Sequence, residues 1–271
     1  MKRSNPAAAE FRRRLRAGAP LVGTFIKLPG PHATEIIAGA GFDFGVIDCE
    51  HGPFDRASAG VAILAARANG MAAIVRVETA MPHHLGAALD EGASGLLVPH
   101  VRSTATARQV VEACRYRFAR GFSNTTRAGH YGARALWEHV DETDDEVTII
   151  AMIEDPEATE DIADIVAVDG IDGIFIGRAD LAVAMNDRQP GAPGVADATN
   201  KVIAACRAAG KPVCLMVQDE HEARALHAAG VSVFIVGSDQ GFMRAAAAGA
   251  CARMRSTLAS TSREPVELPQ E

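Results

Sequence analysis

The chain has few aromatic residues and lacks any long uninterrupted apolar run. Phe, Trp and Tyr together make up 5% of its 271 residues. No window holds the roughly 18 consecutive apolar residues that a membrane span needs. The first residues, MKRSNPAAAEFRRRL, also lack the apolar core of a secretory signal. We therefore expect neither a membrane segment nor a cleaved leader.

The cysteines are few, odd in number and scattered, and none stands in a CxxC spacing. This pattern argues against a disulfide framework and favours reduced thiols in the cytoplasm. Of the five, we expect Cys206, Cys214 and Cys251 to be ordinary core residues.

Positive charge is also scarce, since 27 Lys and Arg face 34 Asp and Glu for a net charge of −7. Nucleic-acid binding needs clustered cations that neutralise phosphates, so no nucleic-acid partner is expected. The one arginine-rich stretch, FRRRLR at 11–16, is short and predicts a solvated helix face.

Eight short apolar runs are present, and several are nearly continuous Val, Ile and Leu, as in strands buried on both faces. The runs are LVGTFIKL (21–28), FGVIDCE (44–50), AAIVRVE (72–78), GLLVPHV (95–101), VTIIAMIED (147–155), GIFIG (173–177), PVCLMVQD (212–219) and SVFIVGSD (232–239).

Alanine-rich segments with helix start and stop signals lie between these runs. Eight strands that alternate with helices predict a (β/α)₈ barrel of the TIM type. A doubly wound sheet is the alternative, but no GxGxxG follows the first strand. We predict one barrel domain at 1–258, with an N-terminal helix, and a flexible tail at 259–271.

The chemistry of such barrels lies at the carboxyl ends of the strands, where this sequence places many polar groups. Asp155, Asp219 and Asp239 also precede helices, so a role as helix cap is the simpler interpretation for them. The long segment 118–146 exceeds what one helix requires. Its part from Gly121 to Trp137 is predicted to cover the site mouth and contact the substrate.

Three features of the strand ends favour catalysis. His51 beside Asp48 is the usual arrangement of a histidine general base. Arg76 interrupts an apolar run, and a buried Arg requires an anionic partner. Glu154 and Asp180 follow neighbouring strands and suit a hard divalent cation, although they could instead pair with rim arginines.

Together these stretches resemble the HpcH/HpaI family of metal-dependent pyruvate aldolases, across nearly the whole predicted barrel. The motifs that carry the resemblance, in order along the chain, are IDCEHGPFD, IVRVE, LDEGASGLLVPHV, AMIEDPEA and DGIDGIFIGRADLA. The sequence departs from the commoner family pattern at Cys49, Met152 and Arg178. The last two put the usual substrate in doubt.

The resemblance assigns roles to individual residues. His51 matches the general base and Asp48 the acid near it, whereas Arg76 matches the arginine that stabilises the enolate. Glu154 and Asp180 match the metal ligands. The backbone amides of Ala179 and Asp180 match those that hold the pyruvyl carboxylate, and Met152 stands at a substrate-binding position. Asp90 matches an acid that raises the basicity of the histidine. Asp90 would reach the site of a neighbouring subunit more easily than its own.

The resemblance also implies a reaction and an assembly. The reaction is reversible cleavage of a 2-keto-4-hydroxy acid to pyruvate and an aldehyde, through a pyruvate enolate held on Mg²⁺ or Mn²⁺, with Co²⁺ or Zn²⁺ also suitable. The assembly is a homo-oligomer, a hexamer built as a trimer of dimers, in which the C-terminal helix is exchanged between subunits.

Three alternatives remain open from the sequence. A class I aldolase needs a barrel lysine for a Schiff base, and only Lys27 of the four lysines is suitably placed. An acyl-CoA lyase of the citrate or malyl type needs cations for the CoA diphosphate, for which Arg127 and Arg134 are candidates. A non-catalytic barrel would have lost a metal ligand or the base, and neither is lost here.

Overall fold

Eight parallel strands form the centre of the computed structural model, which describes residues 5–188 and 193–260. They close into a barrel in chain order, from β1 beside β2 round to β8 beside β1. The strands are β1 (Leu21–Ile26), β2 (Phe44–Asp48), β3 (Ala72–Arg76), β4 (Gly95–Val98), β5 (Thr148–Ile153), β6 (Gly173–Ile176), β7 (Val213–Val217) and β8 (Val233–Ser238). All eight lie within the predicted runs, so the predicted barrel is confirmed.

Helices surround the barrel. In the described part of the chain they are α1 (Pro6–Arg16), α2 (Pro31–Gly39), α3 (Arg56–Ala68), α4 (Pro82–Asp90), α5 (Thr104–Cys114), α6 (Leu136–Glu146), α7 (Pro156–Glu160), α8 (Ile162–Val166), α9 (Arg178–Ala184), α10 (Pro193–Ala208), α11 (Glu220–Ala229) and α12 (Asp239–Ser260), with a 3₁₀ turn at His130–Gly132. None of these helices is long and apolar enough to cross a membrane.

Local signals explain where several helices begin. The carboxylate of Asp55 accepts the backbone N–H of Ser58 at 2.7 Å and starts α3, and Asp219 starts α11 through Glu222 in the same way. Asp155 precedes α7, but its side chain makes no capping hydrogen bond. The cap role predicted for Asp155 is therefore wrong.

The strands divide the core into two parts because successive side chains point to opposite faces. Val46, Ile74 and Ile150 belong to the cluster inside the barrel, whereas Ile47 and Val75 pack outside it against the helices. Cys206 and Cys214 are buried as predicted, but Cys251 is exposed on α12.

Helix α1 closes the amino end of the barrel, where Phe11 and Leu15 join the inner cluster. The predicted solvated arginine face is wrong at Arg12, which is 8% exposed. Its guanidinium donates to Asp172 and to the backbone carbonyl of Asp145. The helix needs this inward cation because Asp172 is buried and carries a charge that must be paired.

The segment between β4 and β5 contains a helix, α6, over Leu136–Glu146. At the other end of the chain, the predicted tail begins at 259, yet α12 continues through Ser260. The rest of the tail, 261–271, lies outside the described residues.

Candidate active site at the carboxyl ends of the strands

At the carboxyl ends of the strands, the side chains that point into the barrel change from apolar to charged. Asp48 ends β2 and pairs in register with Arg76, which ends β3. Both belong to the same inward rows as Val46 and Ile74, because side chains two residues apart share a face. The barrel geometry therefore brings an acid and a cation together inside the rim.

Asp48 is fully buried and is shared by two cations. Its carboxylate accepts Nε of Arg76 at 2.9 Å and Nη2 of Arg76 at 2.7 Å. Lys27, just after β1, places Nζ 2.7 Å from Oδ2 of Asp48. Burial alone would raise the pKa of Asp48, but the bonds from Arg76 and Lys27 outweigh it and lower the pKa to about 2.

These contacts correct the predicted pairing of Asp48 with the His51 imidazole. Asp48 binds only the backbone N–H of His51, at 3.1 Å. The imidazole itself is 59% exposed, and its Nε2 lies 3.9 Å from Glu50 Oε2. The Asp48 carboxylate pairs with Arg76 because the guanidinium can donate to both of its oxygens at once, which a single ring nitrogen cannot do.

Glu50 also belongs to the site. Its Oε2 lies 3.3 Å from Nη1 of Arg76. Although this oxygen is buried, it accepts no hydrogen bond within residues 5–188 and 193–260. Burial raises the pKa of Glu50, whereas Arg76 opposes the rise. Glu50 is two residues after the inward-pointing Asp48. Continuing the alternation of β2 past its end would therefore have predicted that the Glu50 side chain also points inward.

A second acidic group lies across the rim around Glu154, which follows β5 and is 4% exposed. Its Oε1 accepts the backbone N–H of His100 at 2.7 Å. Burial raises the pKa of Glu154 to about 7; the His100 amide opposes the rise, and the nearby carboxylates of Asp180 and Glu50 add to it. Three carboxylates therefore converge, and they repel one another unless a cation joins them.

Gly177 permits the close approach of the two predicted metal ligands. A Cβ atom at this position would stand 2.7 Å from Cβ of Glu154 and 3.3 Å from Oδ2 of Asp180. Asp180 lies in the first turn of α9 with Ala179, and both are exposed at the rim. The donor set, carboxylate oxygens beside a short helix start, fits a divalent cation.

His100 and Asp155 flank this group. His100 has a φ of 53°, in the left-handed region, and this backbone turn aims its N–H at Glu154. Its Nδ1 lies 2.9 Å from Oδ2 of Asp155, which also pairs with Arg102 at 3.0 Å. Ligand atoms of His100, Glu154 and Asp155 lie within 4.8 Å of one another. No signal but the strand-end position could have indicated His100.

Met152 is not exposed at the rim. It is 2% exposed and belongs to the inner core, one inward position below Glu154. Its side chain therefore offers no exposed surface for the predicted contact with substrate. Met152 instead packs beneath the acidic group.

Asp90 does not reach the rim of its own barrel. It ends α4, and its carboxylate accepts Nη2 of Arg120 at 2.9 Å. Helices that follow parallel strands run back toward the amino face, so the end of α4 lies away from the strand ends.

The long segment from Gly121 to Trp137 lies with Asp90 and not at the site mouth of its own chain. Ala128 donates its backbone N–H to the Asp90 carbonyl, and Arg127 donates to the carbonyls of Gly60 and Glu91. The prediction that this segment covers its own site mouth is therefore wrong. Its length is used to cover α3 and α4.

The candidates for alternative chemistries are engaged elsewhere. Nζ of Lys27, the amine that a Schiff base would use, forms an ion pair with buried Asp48 at 2.7 Å. Arg134, considered for a CoA diphosphate, has a side chain only 4% exposed and lies 3.0 Å from Glu142. Arg127 is held by the carbonyls named above.

Comparison with known proteins agrees with this geometry. Residues 21–246 match the family model described as HpcH/HpaI aldolase/citrate lyase. The chain is 36% identical to a pyruvate aldolase of Rhizobium etli, over 84% of this chain and 91% of that protein. It is 34% identical to a hydroxypyruvate/pyruvate aldolase of Deinococcus radiodurans, over 90% and 88% of the two chains.

The fold of solved structures agrees as well. The chain superposes on an HpcH/HpaI aldolase/citrate lyase family protein of Burkholderia cenocepacia with a TM-score of 0.85 and 28% identity, covering 91% of this chain and 99% of that one. With the barrel, the acidic rim and the sequence match in agreement, the protein belongs to the HpcH/HpaI aldolase/citrate lyase family and is a carbon–carbon lyase.

Proposed function

We propose that the protein is a divalent-metal-dependent aldolase that reversibly cleaves 2-keto-4-hydroxy acids to pyruvate and an aldehyde. The observation that carries the proposal is the buried Glu154 carboxylate, which stands with Asp180 and Glu50 at the rim opposite a fixed arginine. The excess negative charge of these acids suits a divalent cation. An anionic keto acid would then fit between that cation and Arg76.

Glu154 and Asp180 would hold the cation, with Mg²⁺ or Mn²⁺ preferred for their oxygen ligands and Co²⁺ or Zn²⁺ also suitable. When bound there, such a cation supplies Lewis-acid polarisation of the keto group, which lowers the free-energy cost of enolate formation. The amides of Ala179 and Asp180, in the first turn of α9, orient the pyruvyl carboxylate because first-turn N–H groups have no partner within a helix.

His51 and Arg76 carry the remaining chemistry. The exposed imidazole of His51 takes the proton from the 4-hydroxyl during cleavage. Arg76 places a positive charge where the enolate oxygen develops negative charge. The bidentate pair with Asp48 holds that charge in place, so little reorganisation is needed during the reaction. Asp48 is then a positioning residue for Arg76.

Metal removal tests the proposal directly. Exhaustive treatment with EDTA should abolish pyruvate release from 2-keto-4-hydroxy acids, and added Mg²⁺ or Mn²⁺ should restore it. The measurement is pyruvate formation coupled to NADH oxidation by lactate dehydrogenase, with magnesium-saturated EDTA as the control for nonspecific effects of the chelator. Full activity after complete chelation would contradict a metal-dependent mechanism.

We further propose that the protein is a homo-oligomer, a hexamer arranged as a trimer of dimers, in which α12 packs on a neighbouring barrel. From Phe242 to Ala259 the helix has no buried side chain, and Met254 and Leu258 are 61% and 68% exposed. Helices in proteins gain most of their stability by packing one face, and this stretch of α12 buries no face against its own chain. Val22, which faces outward from β1, is 41% exposed where an eighth helix would pack.

Light scattering tests this assembly. A chain that ends at Gly241 should lose the assembly, whereas a chain that ends at Ser260 should keep it. A monomeric full-length protein would contradict the proposal. A cytoplasmic location stays a prediction, supported by the unpaired thiols and testable by cell fractionation.

A further inference from the structure

Lys27 stands inside the site and has more hydrogen-bond donors than the site uses. It follows β1 at the rim, and its side chain is 24% exposed. An ammonium group has three N–H donors. Asp48 takes one of them, and no other acceptor for Nζ is found within residues 5–188 and 193–260. Two donors are therefore left for a bound molecule.

The two cations beside Asp48 differ in how far they are exposed. Arg76 and Lys27 share the single carboxylate of Asp48. Glu50 lies 3.3 Å from Arg76, and the Asp239 carboxylate accepts the backbone N–H groups of Lys27 and Leu28. Lys27 is the outer cation of the pair, since its side chain is 24% exposed and that of Arg76 is 8% exposed.

The other rim cations are already held by carboxylates. Arg178 lies 2.7 Å from Glu222 and also donates to the Met216 carbonyl, and Arg102 lies 3.0 Å from Asp155. Lys27 differs from both in that the carboxylate it binds is shared with a second cation, Arg76.

The closed barrel decides which half of the substrate Lys27 faces. With eight strands in chain order, β1 lies opposite β5. Under the proposed function, the pyruvyl half binds at Glu154 and Asp180, beyond β5 and β6. The bond that is made or broken joins C3 of pyruvate to the aldehyde carbon, so the aldehyde half extends away from those ligands. That direction leads toward β1 and β2, where Lys27 and His51 stand.

We infer that Lys27 binds an anionic group, a carboxylate or a phosphate, on the aldehyde half and so selects anionic aldehydes. The inference rests on the proposed function. It gives Lys27 a role in binding, through a charge-assisted hydrogen bond at the end of the substrate away from the metal ligands.

The test compares matched aldehydes in aldol addition with pyruvate. Succinic semialdehyde is paired with its neutral methyl ester, and glyceraldehyde 3-phosphate with glyceraldehyde. The wild-type protein should prefer the anionic member of at least one pair in kcat/KM, and the pair concerned shows whether carboxylate or phosphate is recognised. Lys27→Met should lower that preference by about 10- to 100-fold, the size expected for a hydrogen bond to a charged group.

Lys27→Arg should retain most of the preference because it keeps the charge. Lys201→Met, which removes an exposed charge from α10, is the control and should leave rates and preference as in wild type. If Lys27→Met fails to fold, as judged by circular dichroism, Lys27→Gln replaces it. The wild-type preference by itself tests the inference before any variant is made.

Two results would overturn the inference. One is a wild-type protein without preference in either pair. The other is a preference that stays within about twofold in Lys27→Met, including the case in which both rates fall equally, since Lys27 then acts only through Asp48. Exchange of pyruvate methyl protons in D₂O needs no aldehyde. Its absence in wild type would contradict the proposed function, whereas exchange without aldehyde preference would contradict the role of Lys27 alone.

Discussion

Glu154→Gln is expected to abolish tight binding of a divalent cation and to lower pyruvate release by about 10³-fold or more. The substitution keeps the size of the side chain and removes the charge that holds the cation, and the Lewis acid supplies several kcal/mol of transition-state stabilisation. Asp180→Asn should behave in the same way because the side chains of Glu154 and Asp180 both lie against Gly177. Both effects should be measured, by Mn²⁺ titration followed by electron paramagnetic resonance and by the coupled pyruvate assay.

Stability separates this loss of function from a loss of fold. Glu154 is 4% exposed and stands near other carboxylates, so its buried charge costs free energy when no cation is present. The metal-free Glu154→Gln protein should therefore melt no lower than metal-free wild type. Glu160→Gln changes an exposed acid at the end of α7 and should keep both metal binding and activity. Wild-type turnover and unchanged Mn²⁺ affinity in Glu154→Gln would rule out Glu154 as a ligand.

His51→Ala is expected to lower kcat for cleavage by about 10²- to 10⁴-fold, the usual contribution of a general base, while Mn²⁺ binding persists. A base is needed because the substrate hydroxyl is a poor acid near neutral pH, where histidine alone among side chains ordinarily titrates. The imidazole is 59% exposed, so its removal leaves no cavity and the kinetic effect can be interpreted cleanly. The measurement is kcat at saturating metal and substrate.

Two further variants locate the proton-transfer network. His83→Ala removes an exposed histidine from α4 and should leave kcat unchanged. Asp90→Asn should reduce kcat by less than His51→Ala if Asp90 supports the histidine of a neighbouring subunit, and the reduction should require an intact oligomer. Near wild-type cleavage by His51→Ala would remove this residue from the mechanism.

The fold could be predicted because its signals are local. Eight apolar runs of strand length, separated by alanine-rich segments, allow few closed arrangements other than a parallel barrel. The cap at Asp55 is such a local signal, because a capping carboxylate binds amides only a few residues away. The positions of Glu154, Asp180 and Arg76 at strand ends followed from the same run boundaries.

The partners of those side chains could not be predicted. In the sequence, Asp48 is three residues from His51 but 28 residues from Arg76, yet the barrel register places it opposite Arg76, and the planar guanidinium occupies both carboxylate oxygens. Lys27 reaches the same carboxylate because β1 lies beside β2. Spacing along the chain carries no information about such contacts between strands.

The course of the long segment was likewise decided only in three dimensions. Its composition and length indicated function, but its backbone and side-chain groups find partners at Gly60, Asp90 and Glu91, on α3 and at the end of α4. The sequence by itself determined the barrel, the strand ends and the set of acids and cations placed there. Closure of the barrel decided which charges pair and which segments turn away from the site, because pairing energies depend on distance and burial in the folded chain.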